Sequence, residues 1–165
     1  MPSLENYNQI SVVQRNPVTG CIPASIEWLL RYHDINIGTS WDNFQESVDC
    51  GLSSTFLSVL QKIEEIYGYS KDNFEVEDFS GAQDKCDKIR NLIDSGDGCI
   101  VSISNGPSQG WHITPAVEYD EDKLVILDLS RPIGNQRVER LWRWIIYIHN
   151  TYNGGKDILW LRKHD

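Results

Sequence analysis

Residues 14–32 read QRNPVTGCIPASIEWLLRY, and the change of character at Cys21 decides how the rest of the chain is read. Up to Gly20 the stretch is polar and rich in turn formers (Asn16, Pro17, Thr19, Gly20). From Cys21 onward Ala24, Ile26, Trp28, Leu29 and Leu30 recur at helical rather than alternating spacing. This predicts a helix from Cys21 to about Asp34 with the cysteine at its N-terminus. Such an end presents unpaired N–H groups and the positive pole of the helix dipole. Both favour an anion, and the nucleophilic form of cysteine is the thiolate. A nucleophile also needs a base and a group that orients the base. Residues 110–128 offer both in order, His112 opening one apolar run and Asp128 closing the next.

The chain has 165 residues, of which 40% are hydrophobic and 24% charged, which fits one domain spanning 1–165. A net charge of -9 and a pI near 4.8 argue against a nucleic-acid partner and against adhesion to an anionic membrane. The basic residues Arg131, Arg137, Arg140 and Arg143 form a local cluster only. The opening MPSLENYNQISVV has neither a basic start nor a long apolar run, and no stretch approaches membrane-spanning length, so a cytoplasmic protein is expected. Cys21, Cys50, Cys86 and Cys99 are widely spaced, without a CxxC pair or a zinc-like Cys/His pattern. This excludes a disulfide framework and a structural metal from the expectation, and no cofactor is called for.

In chain order, 10–13 is a possible short strand and 37–48 a second helix capped by Thr39 or Ser40. A third helix covers 55–67 behind Ser53 or Ser54, with Phe56, Leu57, Leu60, Ile63 and Tyr67 on one face. Residues 73–79 alternate weakly as a strand, and 82–93 read as a helix with Cys86, Ile89, Leu92 and Ile93 inward. From Gly98 the period becomes that of strands: CIVSIS, WHITPAVEY, a turn at 120–123, then LVILDLS. Residues 137–149 fit a helix first, ending near Ile146, although WIIYI alone passes for a strand; 158–162 is a last strand. Helices followed by an antiparallel sheet make an α+β pattern.

Gln14, then Cys21 within GCIPAS at a helix start, then His112 within GWHITPAVEY and Asp128 within LVILDLSRP, resemble the papain-like cysteine peptidases. Within these the resemblance is closest to the bacteriocin-leader-processing (double-glycine) peptidase group. It covers most of the chain in order, while only the cysteine box and the His/Asp strand pair are specific. The resemblance implies a papain-like fold, N-terminal helices packed on a C-terminal antiparallel sheet. It also implies Cys21 as nucleophile, His112 as base, Asp128 as the residue that orients it and Gln14 as an oxyanion-hole donor. Gly20, Ile22 and Trp111 would flank the substrate cleft. The group usually has glycine directly after the cysteine, then proline; here Ile22 precedes Pro23, which would narrow the cleft.

The activity implied is cleavage of a peptide or isopeptide bond through an acyl-enzyme, with a peptide or protein as partner. Two other readings stay open: an acyltransferase or deamidase acting on a protein, and a catalytically silent peptide-binding protein, for which Ile22 speaks. Read from the residues alone, Cys21 could be a buried small hydrophobe, His112 a half-buried strand histidine, Asp128 a turn residue and Gln14 a solvated loop residue. Cys50, Cys86 and Cys99 read as structural, and His33, His149 and His164 as surface or helix-end residues. Trp41, Trp142, Trp144 and Trp160 read as core. Arg137, Arg140 and Arg143 read as a solvated helix face, with a site for an acidic substrate tail as the sharper alternative.

Overall fold

The computed structural model describes residues 2–104, 111–130, 135–152 and 155–162. Helix α1 spans Cys21–Tyr32, α2 Phe44–Val48, α3 Phe56–Tyr67, α4 Ala82–Asp94 and α5 Trp142–Thr151. The strands are β1 Phe74–Asp78, β2 Cys99–Ser104, β3 Trp111–Tyr119, β4 Lys123–Asp128, β5 Gln136–Leu141 and β6 Asp157–Leu161. They form one six-stranded sheet in the order β1-β6-β2-β3-β4-β5, with every pairing antiparallel.

Alternation along the strands splits their apolar residues between two faces. Ile100, Ile113, Val117, Val125, Leu127 and Leu159 pack with α1, α2 and α3. Val101, Ile103, Ala116, Leu124, Ile126 and Ile158 pack with α4 and α5. The N-terminal helices therefore cover one face of the sheet, and two later helices cover the other. Helix α1 is the centre of the first layer, with every residue from Ile22 to Leu30 buried. Helix α3 starts in a capping box, in which Thr55 Oγ1 accepts from the Ser58 N–H and Ser58 Oγ from the Thr55 N–H. The cap is thus Thr55 and not Ser53 or Ser54.

Three expectations from sequence fail here. Residues 10–13 join no strand, and the second helix shrinks from 37–48 to Phe44–Val48, with Asn43 and not Thr39 or Ser40 at its N-cap. Between 136 and 151 the expected order is inverted, since strand β5 precedes helix α5. β5 is an edge strand exposed at most positions, so it lacks the apolar alternation that marks a strand. Trp142, Ile145 and Ile148, at helical spacing, instead seat α5 on the sheet.

Side-chain assignments change accordingly. Arg137 and Arg140 lie on β5, not on a helix face, and Arg137 forms a forked pair with Glu118 at 2.9 and 3.0 Å. Trp144 is exposed and stacks on Tyr147. His149 is a helix-end residue, in the last turn of α5, but it is buried, its Nε2 3.2 Å from Ser80 O. His164 lies outside the described residues. Cys86 and Cys99 are buried, and no disulfide joins the four cysteines. Among the described residues no helix is long and apolar enough to cross a membrane.

Candidate active site

The approach to Cys21 is a tight turn built by Asn16. Its side-chain Oδ1 accepts the N–H groups of Val18 and Thr19 at 3.0 and 3.2 Å, and its backbone O accepts the N–H of Gly20 at 3.0 Å. A Cβ on residue 20 would stand 2.6 Å from Asn16 O, closer than real contacts allow, so only glycine fits. Gly20 is the N-cap of α1, and Cys21 is its first helical residue. The cysteine thus stands at the end of a 12-residue helix, where backbone donors lack intrahelical acceptors.

Two hydrogen bonds stitch this corner to the sheet. Ser25, one turn along α1, donates from Oγ to Ile113 O at 3.2 Å. Gln14 N–H donates to Leu129 O at 2.8 Å, next to Asp128. The backbone N–H of Ile113 favours the Cys21 thiolate, and Cys21 and Ile113 line one cleft, so Cys21 stands beside the strand residue that follows His112. The Gln14 side chain is buried, and its Nε2 donates to Asn16 O at 2.7 Å.

His112 and Asp128 sit on one face of the sheet. A bulge between Ala116 and Glu118 offsets the β3–β4 register, and counting on from the Ala116–Ile126 pair sets Asp128 across from Thr114. His112 is therefore the diagonal neighbour of Asp128. A diagonal pair is still within reach of long side chains. His112 Nε2 lies 3.8 Å from Asp128 Oδ1, longer than a hydrogen bond, and has no hydrogen-bond partner among the described residues. Asp128 Oδ1 accepts the Ser130 N–H at 2.9 Å.

Electrostatics favour a neutral resting pair. Burial pushes the Cys21 thiol up, against the pull of the N–H groups of Ile113, Ile22 and Cys21 itself; the Asp49 carboxylate adds to the rise. Helix-start placement alone predicts the opposite direction, and burial outweighs it. Burial likewise holds the His112 imidazole below its ordinary value, Asp128 acting against this and Arg140 with it. For Asp128 burial pushes up, but the Ser130 hydroxyl and N–H, with His112 and Arg140, outweigh it and hold the carboxyl low.

A cleft of about 330 Å³ opens beside Cys21, lined also by Ile22, Phe56, Ser102, Ile113 and Asp157. A second hollow of about 430 Å³ lies on the far side of Gly20, bounded by Arg15, Asn16, Gln45 and Asp49. Ile22 is buried in the core and also lines the cleft. Trp111 pairs through its backbone with Ser104, and its side chain lies outside the described residues. Residues 105–110 and 131–134 also lie outside them. Sequence reading missed Ser25, Ser102 and Asp157. A serine four residues after the cysteine inside an apolar helix face was the one available signal, because β2 and β6 come together only through long-range pairing. No group of His, Cys, Asp and Glu among the described residues could hold a metal ion.

Helices on both faces of an antiparallel sheet, with a cysteine at the start of α1 beside the strand that carries His112, define a papain-like α+β fold. Residues 3–144 match the Peptidase C39 like family, and the chain belongs to it. Its fold is similar to the peptidase domain of Streptococcus ComA, a bifunctional ABC transporter of a quorum-sensing pathway, at 16% identity and a TM-score of 0.60, covering 93% of this chain and 98% of that one. A Bacillus anthracis protein described as a C39-like peptidase aligns over 99% of both chains at 12% identity and a TM-score of 0.65. No curated protein matches the chain by sequence.

Proposed function

We propose that this chain is a cysteine peptidase that cleaves a peptide or isopeptide bond. One observation carries the reading: Cys21, at the first position of α1, is docked against β3 at Ile113, adjacent to His112, whose Nε2 faces Asp128 at 3.8 Å. In this reading the second imidazole nitrogen, Nδ1, takes the thiol proton as sulfur attacks the substrate carbonyl carbon. The charge on the carbonyl oxygen is met by Gln14 and by the unpaired N–H groups at the start of α1. The imidazolium then protonates the leaving amine, and water resolves the thioester by the same path in reverse. Asp128 stabilises the imidazolium, a role that requires the pair to close by about 1 Å to hydrogen-bond distance when substrate binds.

The test is incubation with a diverse synthetic peptide library, read by mass spectrometry, for wild type, Cys21→Ser and His112→Ala. Cleavage by wild type that both substitutions abolish is the expected result. Cleavage that persists in Cys21→Ser, or none above the variants, would contradict it. The second outcome favours a silent peptide-binding protein, a reading supported by the thiol being raised by burial and by the open His112–Asp128 pair.

A further inference from the structure

The cleft beside Cys21 has two chemistries. Ile22, Phe56 and Ile113 give it an apolar wall, and Asp157, the first residue of β6, brings a carboxylate to the same space. The Ser102 hydroxyl favours the ionised form of that carboxyl, and Ser102 also lines the cleft. Asp157 enters none of the ion pairs found among the described residues.

A cation that acts on Asp157 from behind this wall is otherwise committed. Lys85 on α4 is buried, and its Nζ donates to Ser102 O at 2.6 Å and to Gly155 O at 2.7 Å. Its ammonium therefore braces the backbone of the cleft wall. Its charge still acts on Asp157, but Asp78, the cross-strand partner of Asp157, adds a second carboxylate. Among the described residues, Asp157 and Asp78 against the Lys85 ammonium leave a negative excess on this side of the cleft. Burial pushes the Asp157 carboxyl up in spite of Lys85, so its ionised form is under-compensated and gains from a cation arriving in the cleft. The ligand that satisfies an apolar wall and a carboxylate together has an aliphatic stem and a cationic end.

We propose that this cleft selects a lysine or arginine side chain of the peptide substrate, the stem lying on Ile22, Phe56 and Ile113 and the cation meeting Asp157. The proposal rests on the reading of Cys21 as the nucleophile, which fixes the cleft as the place where substrate lies. The net charge of -9 assists it by drawing cationic peptides toward the molecule.

The test uses acetyl-Lys-Gly and acetyl-Gly-Lys chloromethyl ketones, each against its norleucine counterpart, which has the stem without the ammonium. Alkylation of Cys21 is followed by intact-mass spectrometry, and the readout is the lysine-to-norleucine rate ratio. One lysine probe is expected to react about ten-fold faster than its counterpart, the effect of one charge-assisted hydrogen bond. Asp157→Asn should bring the ratio near one, and Asp157→Glu should keep the preference. Equal rates for both pairs in wild type, or a preference that survives in Asp157→Asn, overturns the proposal. Alkylation needs only the thiol and a docked probe, so the ratio is readable without turnover. A lysine preference in a chain that cleaves no peptide would refute the peptidase reading and leave the charge selection standing.

Discussion

Replacing Gly20 by alanine isolates the turn that delivers Cys21. The backbone at Gly20, φ -88° and ψ 5°, is open to any residue, so the substitution introduces no conformational strain of its own. Its whole effect comes from the added Cβ, which would lie 2.6 Å from Asn16 O, 3.0 Å from Asn16 N and 3.2 Å from Asn16 Cβ. These neighbours are the turn itself and not the far end of a flexible side chain, so Asn16 must move. Asn16 O accepts both the Gly20 N–H and Gln14 Nε2, and displacing it weakens both bonds. At about 1 kcal/mol each, the loss is about 2 kcal/mol, or a fall in Tm of about 4–8 °C for a chain of this size. Thermal unfolding by circular dichroism measures that part. The same shift moves the first residue of α1, so iodoacetamide should alkylate Cys21 at an altered rate. A variant with wild-type Tm and wild-type Cys21 reactivity would refute the steric argument.

Ser25→Ala removes the buried hydroxyl that ties α1 to Ile113 O, and should lower stability by about 1 kcal/mol in urea titrations. Gln14→Ala should reduce peptide turnover by about 10²-fold if the side chain meets the oxyanion, measured as kcat with a peptide cleaved by wild type. The third prediction concerns acid. The folded value of His112 lies below 6.5, so between the two values the unfolded chain binds more protons and stability rises with pH. The contribution is complete above pH 6.5 and is lost as pH falls through the folded value. His112→Gln lacks it, so the difference in urea midpoint between wild type and variant should shift against wild type on going from pH 7.5 to 5.5; a constant difference would contradict the burial argument.

Much of the fold was legible because one period dominates each segment. Helices α3 and α4 each bury a single stripe, α1 is buried nearly all round, and β2, β3 and β4 are short apolar runs. The stretch from β5 to α5 was not legible, because an exposed edge strand carries no apolar alternation, and the helix beside it contains a run, WIIYI, that also suits a strand. The candidates Cys21, His112 and Asp128 could be picked out because each sits at the boundary of such a segment. Their relation could not be read in full, since the bulge at residue 117 moves Asp128 from across Pro115 to across Thr114 and so onto the diagonal of His112. Burial was hidden as well: it reverses the direction expected for the thiol, and it places Lys85 and His149 in the interior on contacts from distant strands and loops.

The coupling of Cys21 to His112 is most directly tested by the rate at which iodoacetamide alkylates each cysteine, resolved by mass spectrometry, in wild type and His112→Ala. Burial protects Cys86 and Cys99, and the thiol of Cys21 is itself raised, so fast reaction at Cys21 requires a base that takes its proton. The account expects Cys21 to react faster than Cys50, Cys86 and Cys99 in wild type and to lose that advantage in His112→Ala. A Cys21 that is inert, or that reacts equally in both proteins, contradicts it.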